Sequence, residues 1–411
     1  LCLGLFFGLA TFFSGPFLKN DYSSFFLFCL SFSFIEFLRG NILSGFPWNL
    51  WSYTWSWSSE IIQILNPIGL YAFNSISIAF FCTPALLFFK SKYKYFIFSI
   101  FLTIFFSFYI YGSYKINKEQ DLVYTPENSI NVKVVSPNFD MRYISSDAEI
   151  KQAIQKLVRY SDPNLKKKTV FIWPEGVFAG VYLEDLKKFS NFFNSNFSKN
   201  HLIIFGINTE DKLKKSYFNS FVIVNNNLDI LYKYDKRKLV PFGEFLPLDY
   251  IFAKFGLKKI TYGYGSFSEG SGKQENFKFN NLNLFPLICY EIIFPWLTQQ
   301  SDKNTNMIVN ISEDAWFGDS VGPYQHFAKA IFRSIENNTY LIRSANKGVS
   351  AFISNNGIVL KRLGPNEVGN IELDVPLINN NFKNKNDLIF FILLFTYLVI
   401  FLIFKKKINV K

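Results

Sequence analysis

Long runs without charge at the two ends of this chain limit its fold more than any other feature. Residues 1–18 carry no charged side chain and 23–38 carry only Glu36, while 61–89, 95–114 and 388–404 carry none. Runs of about 17–20 apolar residues match the thickness of a bilayer core, and buried helices of a soluble protein are usually shorter or interrupted by polar residues. The spacing therefore predicts a membrane-spanning helical block over 1–114, of about four spans, and one further span with a basic tail over 388–411. Asn66-Pro67 and Gly69 near the start of the third run predict a bent or re-entrant entry.

The net charge of +12 is placed where a membrane protein uses it. Lys90, Lys92 and Lys94 fill the link between two apolar runs, and Lys405, Lys406, Lys407 and Lys411 follow the last. The short loop 40–59 has no Lys or Arg and holds Trp48, Trp51, Trp55 and Trp57. Positive charge marks the cytoplasmic side of short loops, and tryptophan favours the interface. Alternating sides then puts 19–21 and 90–94 inside, 40–59 and 115–387 outside, and the tail inside. The Gly/Pro/Trp segment 39–58 reads equally as an aromatic belt or as a substrate-facing loop. No basic helix or aromatic-basic motif points to nucleic acid. The chain opens on leucine within an apolar run, with no basic leader, and does not read as a cleaved signal peptide. Sequence upstream of residue 1 is expected.

Composition changes near Lys115, and 115–387 alternates short apolar runs with amphipathic stretches. Strands are predicted at 130–136, 168–173 and 201–208, as a hairpin around Asn225–Asn227, at 306–312, and in the closing YLIRSA, GVSAFIS and GIVLKRL runs. Helices are predicted at 147–160, 182–199 and 324–338, the last with Phe327, Ile331 and Ile335 on one face. Strands interleaved with helices indicate one α/β domain exported between membrane segments.

Three of the four cysteines lie in the apolar spans, so no disulfide framework is expected, and Cys289 is the one thiol of the polar domain. His201 and His326 stand apart, without neighbours at ligand spacing, so no metal site is expected. Cys289 sits in LNLFPLICYEIIFP, where an apolar run hands over to Cys, Tyr and Glu. TVFIWPE ends the same way at Glu175, and DILYKYDK at Lys236. A cysteine attacking a carbonyl must lose its proton to a base or beside a cation, and the oxyanion it creates needs a donor. A carboxylate, an ammonium and a thiol supply that set, at strand ends where α/β sites gather. On spacing alone, an inert buried cysteine with two surface charges fits as well.

WPEG (173–176), YDKRKLVPFGEFLP (234–247), CYE (289–291) and NISEDAWFG (310–318) resemble the motifs of the nitrilase, or carbon–nitrogen hydrolase, superfamily. With EFLRGNILSGFPW (36–48), residues 322–354 and the flanking spans, the chain resembles the apolipoprotein N-acyltransferase family. The resemblance implies a four-layer αββα sandwich on the outer face of a bacterial inner membrane. It implies Cys289 as nucleophile, Glu175 as general base and Lys236 as oxyanion cation, with Glu244, Tyr290 and Glu291 as supporting residues and no cofactor. It further implies a ping-pong reaction, in which an acyl chain passes from a phospholipid such as phosphatidylethanolamine, through a Cys289 thioester, to the N-terminal amine of diacylglyceryl-cysteine on an apolipoprotein. A membrane-anchored amidase or hydrolase, with water as acceptor, is the alternative, and an inert scaffold predicts no acylation of Cys289. The loops 39–58 and 251–268 are candidate rims for lipid entry. Trp316, Arg343 and His326 are read as structural. Two features depart from the family pattern: fewer spans precede the domain, and Glu313 stands where a small polar residue is expected.

Overall fold

The computed structural model describes residues 2–19, 21–89, 93–120, 128–144, 146–247, 266–272, 274–378 and 387–409. Lys90, Lys92, Lys411 and nearly all of the 251–268 loop fall outside these.

In β2 (Thr169–Ile172) every residue is buried, because side chains that alternate across the strand find a core on each face. Val170 and Ile172 enter a cluster with Val309 and Ile311, while Phe171 enters another with Ile154, Leu157 and Phe197. The same two-sided burial holds for β8 (Met307–Glu313). Such strands demand layers above and below.

Two six-stranded sheets provide them. The first runs β12-β1-β2-β3-β4-β5 and comprises β12 (Gly369–Pro376), β1 (Ser129–Ser136), β2, β3 (His201–Asp211), β4 (Ser216–Val224) and β5 (Ile230–Asp235). The second runs β11-β10-β9-β8-β7-β6 and comprises β11 (Val359–Leu363), β10 (Ser350–Ile353), β9 (Tyr340–Asn346), β8, β7 (Leu282–Ile288) and β6 (Phe277–Phe279). Each is parallel at its centre, β1-β2-β3 and β7-β8-β9, and antiparallel at its margins. Their inner faces meet in one apolar layer. Helices Asp147–Ser161 and Ser190–Asn196 cover the outside of the first sheet, and helix Gly322–Asn337 covers the second through Phe327 and Ala330. The order is α, β, β, α, as the resemblance implies.

The helical segments of the sequence reading appear with shifted ends. Residues 182–199 form short pieces, Leu183–Leu186, Lys187–Phe189 and Ser190–Asn196. Strands β6 and β12 escaped the sequence reading, although Ile371, Leu373 and Val375 alternate with charged residues along β12.

Four helices, Tyr22–Asn41, Leu70–Phe88, Lys94–Lys118 and Leu388–Lys406, are long and apolar enough to cross a membrane, and Leu3–Phe17 is a shorter apolar helix. Helix Lys94–Gln120 continues past the change of composition at Lys115. The third run does bend: helical turns over 61–68 stop at Gly69, whose φ of 80° favours glycine, before helix Leu70–Cys82 begins. Glu336 of helix Gly322–Asn337 caps that new start, accepting from Leu70 N at 3.0 Å and pairing with Arg333 at 3.0 Å. Phe332 and Ile335 of the same helix pack among Tyr53, Leu65 and Phe73. One helix thus serves as the outer layer of the sandwich and as one of its contacts with the membrane block.

Candidate active site

Cys289 follows β7 directly and takes a left-handed backbone, φ 48°, a conformation that costs a non-glycine residue about 1–3 kcal/mol. Lys236 follows β5 directly, and Glu175 lies three residues after β2. The side chains therefore converge from two different sheets on one end of the sandwich. All three are buried.

Lys236 Nζ lies 3.4 Å from Glu175 Oε1 and 2.9 Å from Glu244 Oε1. Asn219 Nδ2 donates to the same two oxygens at 2.6 and 2.9 Å. The second oxygen of Glu175 accepts from Glu313 N at 3.0 Å, and that of Glu244 from Val240 N at 2.8 Å. Each carboxylate is thus held at both oxygens, which fixes its plane. Cys289 Sγ points to the Glu313 carbonyl at 4.0 Å.

The residues after the cysteine brace the site. Glu291 is fully buried and accepts from Arg237 N at 2.8 Å, Lys238 N at 3.1 Å, Tyr234 Oη at 2.7 Å and Ile288 N at 2.8 Å. It ties the segment after Lys236 to the segment before Cys289. Tyr290 Oη donates to the Gly45 carbonyl at 3.0 Å, joining the site to the membrane block. Behind the cysteine, His326 contacts Asp314 Oδ1 at 2.9 Å and the Cys289 carbonyl at 3.3 Å. Arg343 donates to Asp314 at 3.0 and 2.8 Å and also to Asn310. His326 and Arg343 are packed and hydrogen-bonded, and Trp316 is half exposed.

The 39–58 segment turns inward over most of its length. Arg39 holds it by donating to the Phe46 carbonyl at 2.9 Å. Trp48 stacks near Phe317 and His326 and donates to Gln325 at 2.8 Å. Lys329 Nζ lies 4.7 Å from the Trp48 ring centroid and 4.3 Å from that of Tyr53. Trp57 alone among these tryptophans is largely exposed.

Electrostatics sort the protons. Burial opposes the charge on Lys236, but Glu175, Glu244 and Cys289 outweigh it and hold its pKa above the ordinary range. Burial pushes the Cys289 thiol up, Glu175 adds to this, and Lys236 pulls the other way. Burial also raises Glu291, against its hydrogen bonds. Asp314 is buried too, yet Arg343 and His326 hold it below the usual carboxylate range. The resting site therefore has an ammonium between carboxylates and a protonated sulfur beside them. It can take a proton from the thiol and meet a negative oxygen with a cation.

Sequence reasoning missed Asn219, Asp314 and the Glu313 main chain. Asn219 left a signal: it is a polar residue within the apolar strand FNSFVIV. The main-chain contacts left none.

A profile described as carbon–nitrogen hydrolase matches residues 146–379, and one described as apolipoprotein N-acyltransferase N-terminal domain matches residues 1–83. Over 403 residues the chain is 33% identical to the apolipoprotein N-acyltransferase of Rickettsia prowazekii (strain Madrid E), covering 93% of this chain and 78% of that one. It is 28% identical over 390 residues to that of Rhizobium etli (strain CIAT 652), covering 93% and 73%. The crystal structure of an amidase from Nesterenkonia sp. is similar at a TM-score of 0.46 and 13% identity, over 64% of this chain and 95% of that one.

Proposed function

Because the chain belongs to the apolipoprotein N-acyltransferase family and carries its carbon–nitrogen hydrolase domain, we propose that it matures lipoproteins through an acyl-enzyme on Cys289. The observation that carries this reading is the buried Lys236 ammonium, paired with Glu175 at 3.4 Å and Glu244 at 2.9 Å, with the Cys289 thiol under the electrostatic influence of Glu175 and Lys236.

In the first half-reaction a phospholipid ester carbonyl lies against the sulfur. Glu175 takes the thiol proton as the S–C bond forms, so no standing thiolate is required. Negative charge moves to the carbonyl oxygen, where Lys236 meets it. The ester C–O bond then breaks, and Glu175 returns the proton to the departing glycerol oxygen. A lysophospholipid leaves, and the donor is the sn-1 chain of phosphatidylethanolamine.

In the second half-reaction the α-amine of diacylglyceryl-cysteine attacks the thioester carbonyl. An N–C bond forms, the S–C bond breaks, and Glu175 carries the amine proton to the sulfur. Glu244 holds Lys236, and Glu291 and Tyr290 hold the backbone on either side. Both substrates are anchored by acyl chains, which accounts for an enzyme domain joined to the membrane at both of its ends. The charge pattern of the short loops supports a bacterial inner-membrane location with the domain on the periplasmic face.

Intact-mass measurement of the purified full chain with phosphatidylethanolamine vesicles tests the reading. A hydroxylamine-labile acyl adduct is expected on the wild type and not on Cys289→Ser. Addition of a diacylglyceryl peptide should discharge it as N-acyl peptide. Release of free fatty acid alone would make the protein a hydrolase, and an adduct on another residue would defeat the mechanism.

A further inference from the structure

Glu313 takes no step in the reaction above, yet its main chain meets both partners in the first proton transfer. Its N–H donates to Glu175 Oε2 at 3.0 Å, and its carbonyl accepts from Cys289 Sγ at 4.0 Å. The side chain turns back on the same segment. Oε1 accepts from Ala315 N at 3.0 Å and Asn346 Nδ2 at 3.1 Å, and Oε2 accepts from Asn346 at 2.9 Å. Asn346 is fixed in turn by Phe139, from which it accepts at 2.8 Å and to which it donates at 2.9 Å. On the other side lies Gly176, the residue after Glu175. A Cβ there would overlap the Glu313 carboxyl, and its φ of 78° favours glycine as well.

Resting on the reading of Glu175 and Cys289 just given, we infer that Glu313 is a positioning residue. Its side chain, clamped between Gly176 and Asn346, sets the main chain that aligns the Glu175 carboxylate with the Cys289 thiol.

The charges around it bear on its protonation. Glu175 faces it from the loop after β2, and Asp314 follows it in the chain; both are acids. The nearby cations are engaged elsewhere: Lys236 with Glu175 and Glu244, Arg343 and His326 with Asp314, and Lys347, beyond Asn346, with Asp140 at 2.7 Å. Among the described residues no cation lies within ion-pair distance of the Glu313 carboxyl. Burial, with Glu175 and Asp314 adding to it, raises Glu313 to about 8 against the pull of Asn346 and Ala315. Below that pH the carboxyl is neutral, with one O–H and with lone pairs that still accept from Ala315 and Asn346. Above it, a second negative charge would stand beside Glu175, opposing the growth of negative charge on the oxyanion.

The test follows acylation of Cys289 in the full chain, reconstituted with phosphatidylethanolamine vesicles, from about pH 6 to about pH 10. Wild type, Glu313→Gln and Glu313→Ala are compared. The rate for wild type relative to Glu313→Gln, which stays neutral, should fall about tenfold per pH unit above about pH 8. Glu313→Ala leaves Ala315 N and Asn346 without their acceptor and should acylate at least about tenfold more slowly at every pH. Superimposed profiles for wild type and Glu313→Gln would overturn the inference, as would wild-type rates in Glu313→Ala. If Glu313→Ala does not fold, the first comparison still decides. A wild type that takes up no acyl group at any pH would instead remove the reading of Cys289, and this inference with it.

Discussion

The hydroxyl of Tyr290, one residue past the candidate nucleophile, donates to the main-chain carbonyl of Gly45 in the membrane loop at 3.0 Å. The bond is buried and joins residues 245 apart in sequence. It makes the chain on one side of Cys289 answer to the position of the membrane block. Phe294 reinforces it, since a Cβ at Gly45 would press on its ring. Tyr290→Phe should fold and lose about 1–3 kcal/mol of stability, because a buried carbonyl is left without its donor. Acylation should slow as well, read as the initial rate of thioester formation beside the shift in unfolding temperature.

Glu291 offers a sharper separation of stability from rate. Its carboxylate gathers two main-chain N–H groups after Lys236, the Tyr234 hydroxyl and Ile288 N. Glu291→Gln keeps the volume but puts an amide where only an acceptor fits. Lys236 and Cys289 should then lose their mutual alignment. A shift of about 1 Å can cost on the order of 10²-fold in rate. Acylation by single-turnover mass measurement is expected to fall by that order, and wild-type rates would show that Glu291 is only packing.

Gly176 and Glu313 form a steric pair that a double-mutant cycle can resolve. Gly176→Ala meets the Glu313 carboxyl and also carries the strain of a positive φ. It should destabilise by roughly 1–3 kcal/mol. Adding Glu313→Ala removes the overlap and leaves the strain, so the double variant should be more stable than the two single effects predict. Strict additivity in denaturation would show that the two residues do not press on one another.

Lys329 gives a pH dependence of stability with a definite sign. Burial, then Arg333, lower its pKa from 10.5 to about 7. Between these values the unfolded chain holds the proton and the folded chain does not. Unfolding free energy therefore rises with pH across that window, by at most about 1.4 kcal/mol per unit. Lys329→Met should flatten this rise and be the more stable form on the acid side. Parallel curves of unfolding temperature against pH would show instead that the Trp48 and Tyr53 rings keep the ammonium charged throughout.

The candidate site was legible in the sequence wherever a polar residue sits at the end of an apolar run. TVFIWPE and LNLFPLICYEIIFP each announce a buried strand and then a polar residue, DILYKYDK announces an edge strand with Ile230 and Leu231 exposed, and the fold gathers their ends. The bend at Gly69 was legible because Asn-Pro and Gly interrupt an otherwise uniform span. Other features were hidden. β12 is an edge strand with charged residues on alternate positions, so its pattern is short and half polar. The bond from Glu313 N to Glu175 uses a main-chain group that every residue but proline possesses. Packing of Trp48 on His326 joins positions 278 apart to fill one gap, and neither neighbourhood encodes the other.

The left-handed turn at Cys289 and the raised proton affinity of its sulfur bear on survival between turnovers. Peroxides and disulfides are attacked by the thiolate, and the thiol reacts with them far more slowly. Residues 115–387 contain no second cysteine that could reverse an oxidation by forming an internal bridge. On the mechanism proposed above, the sulfur gives up its proton only when an ester is in place, and the thiol form shields it until then. The arrangement that makes the idle enzyme unreactive is thus also what lets a lone thiol persist without a repair partner.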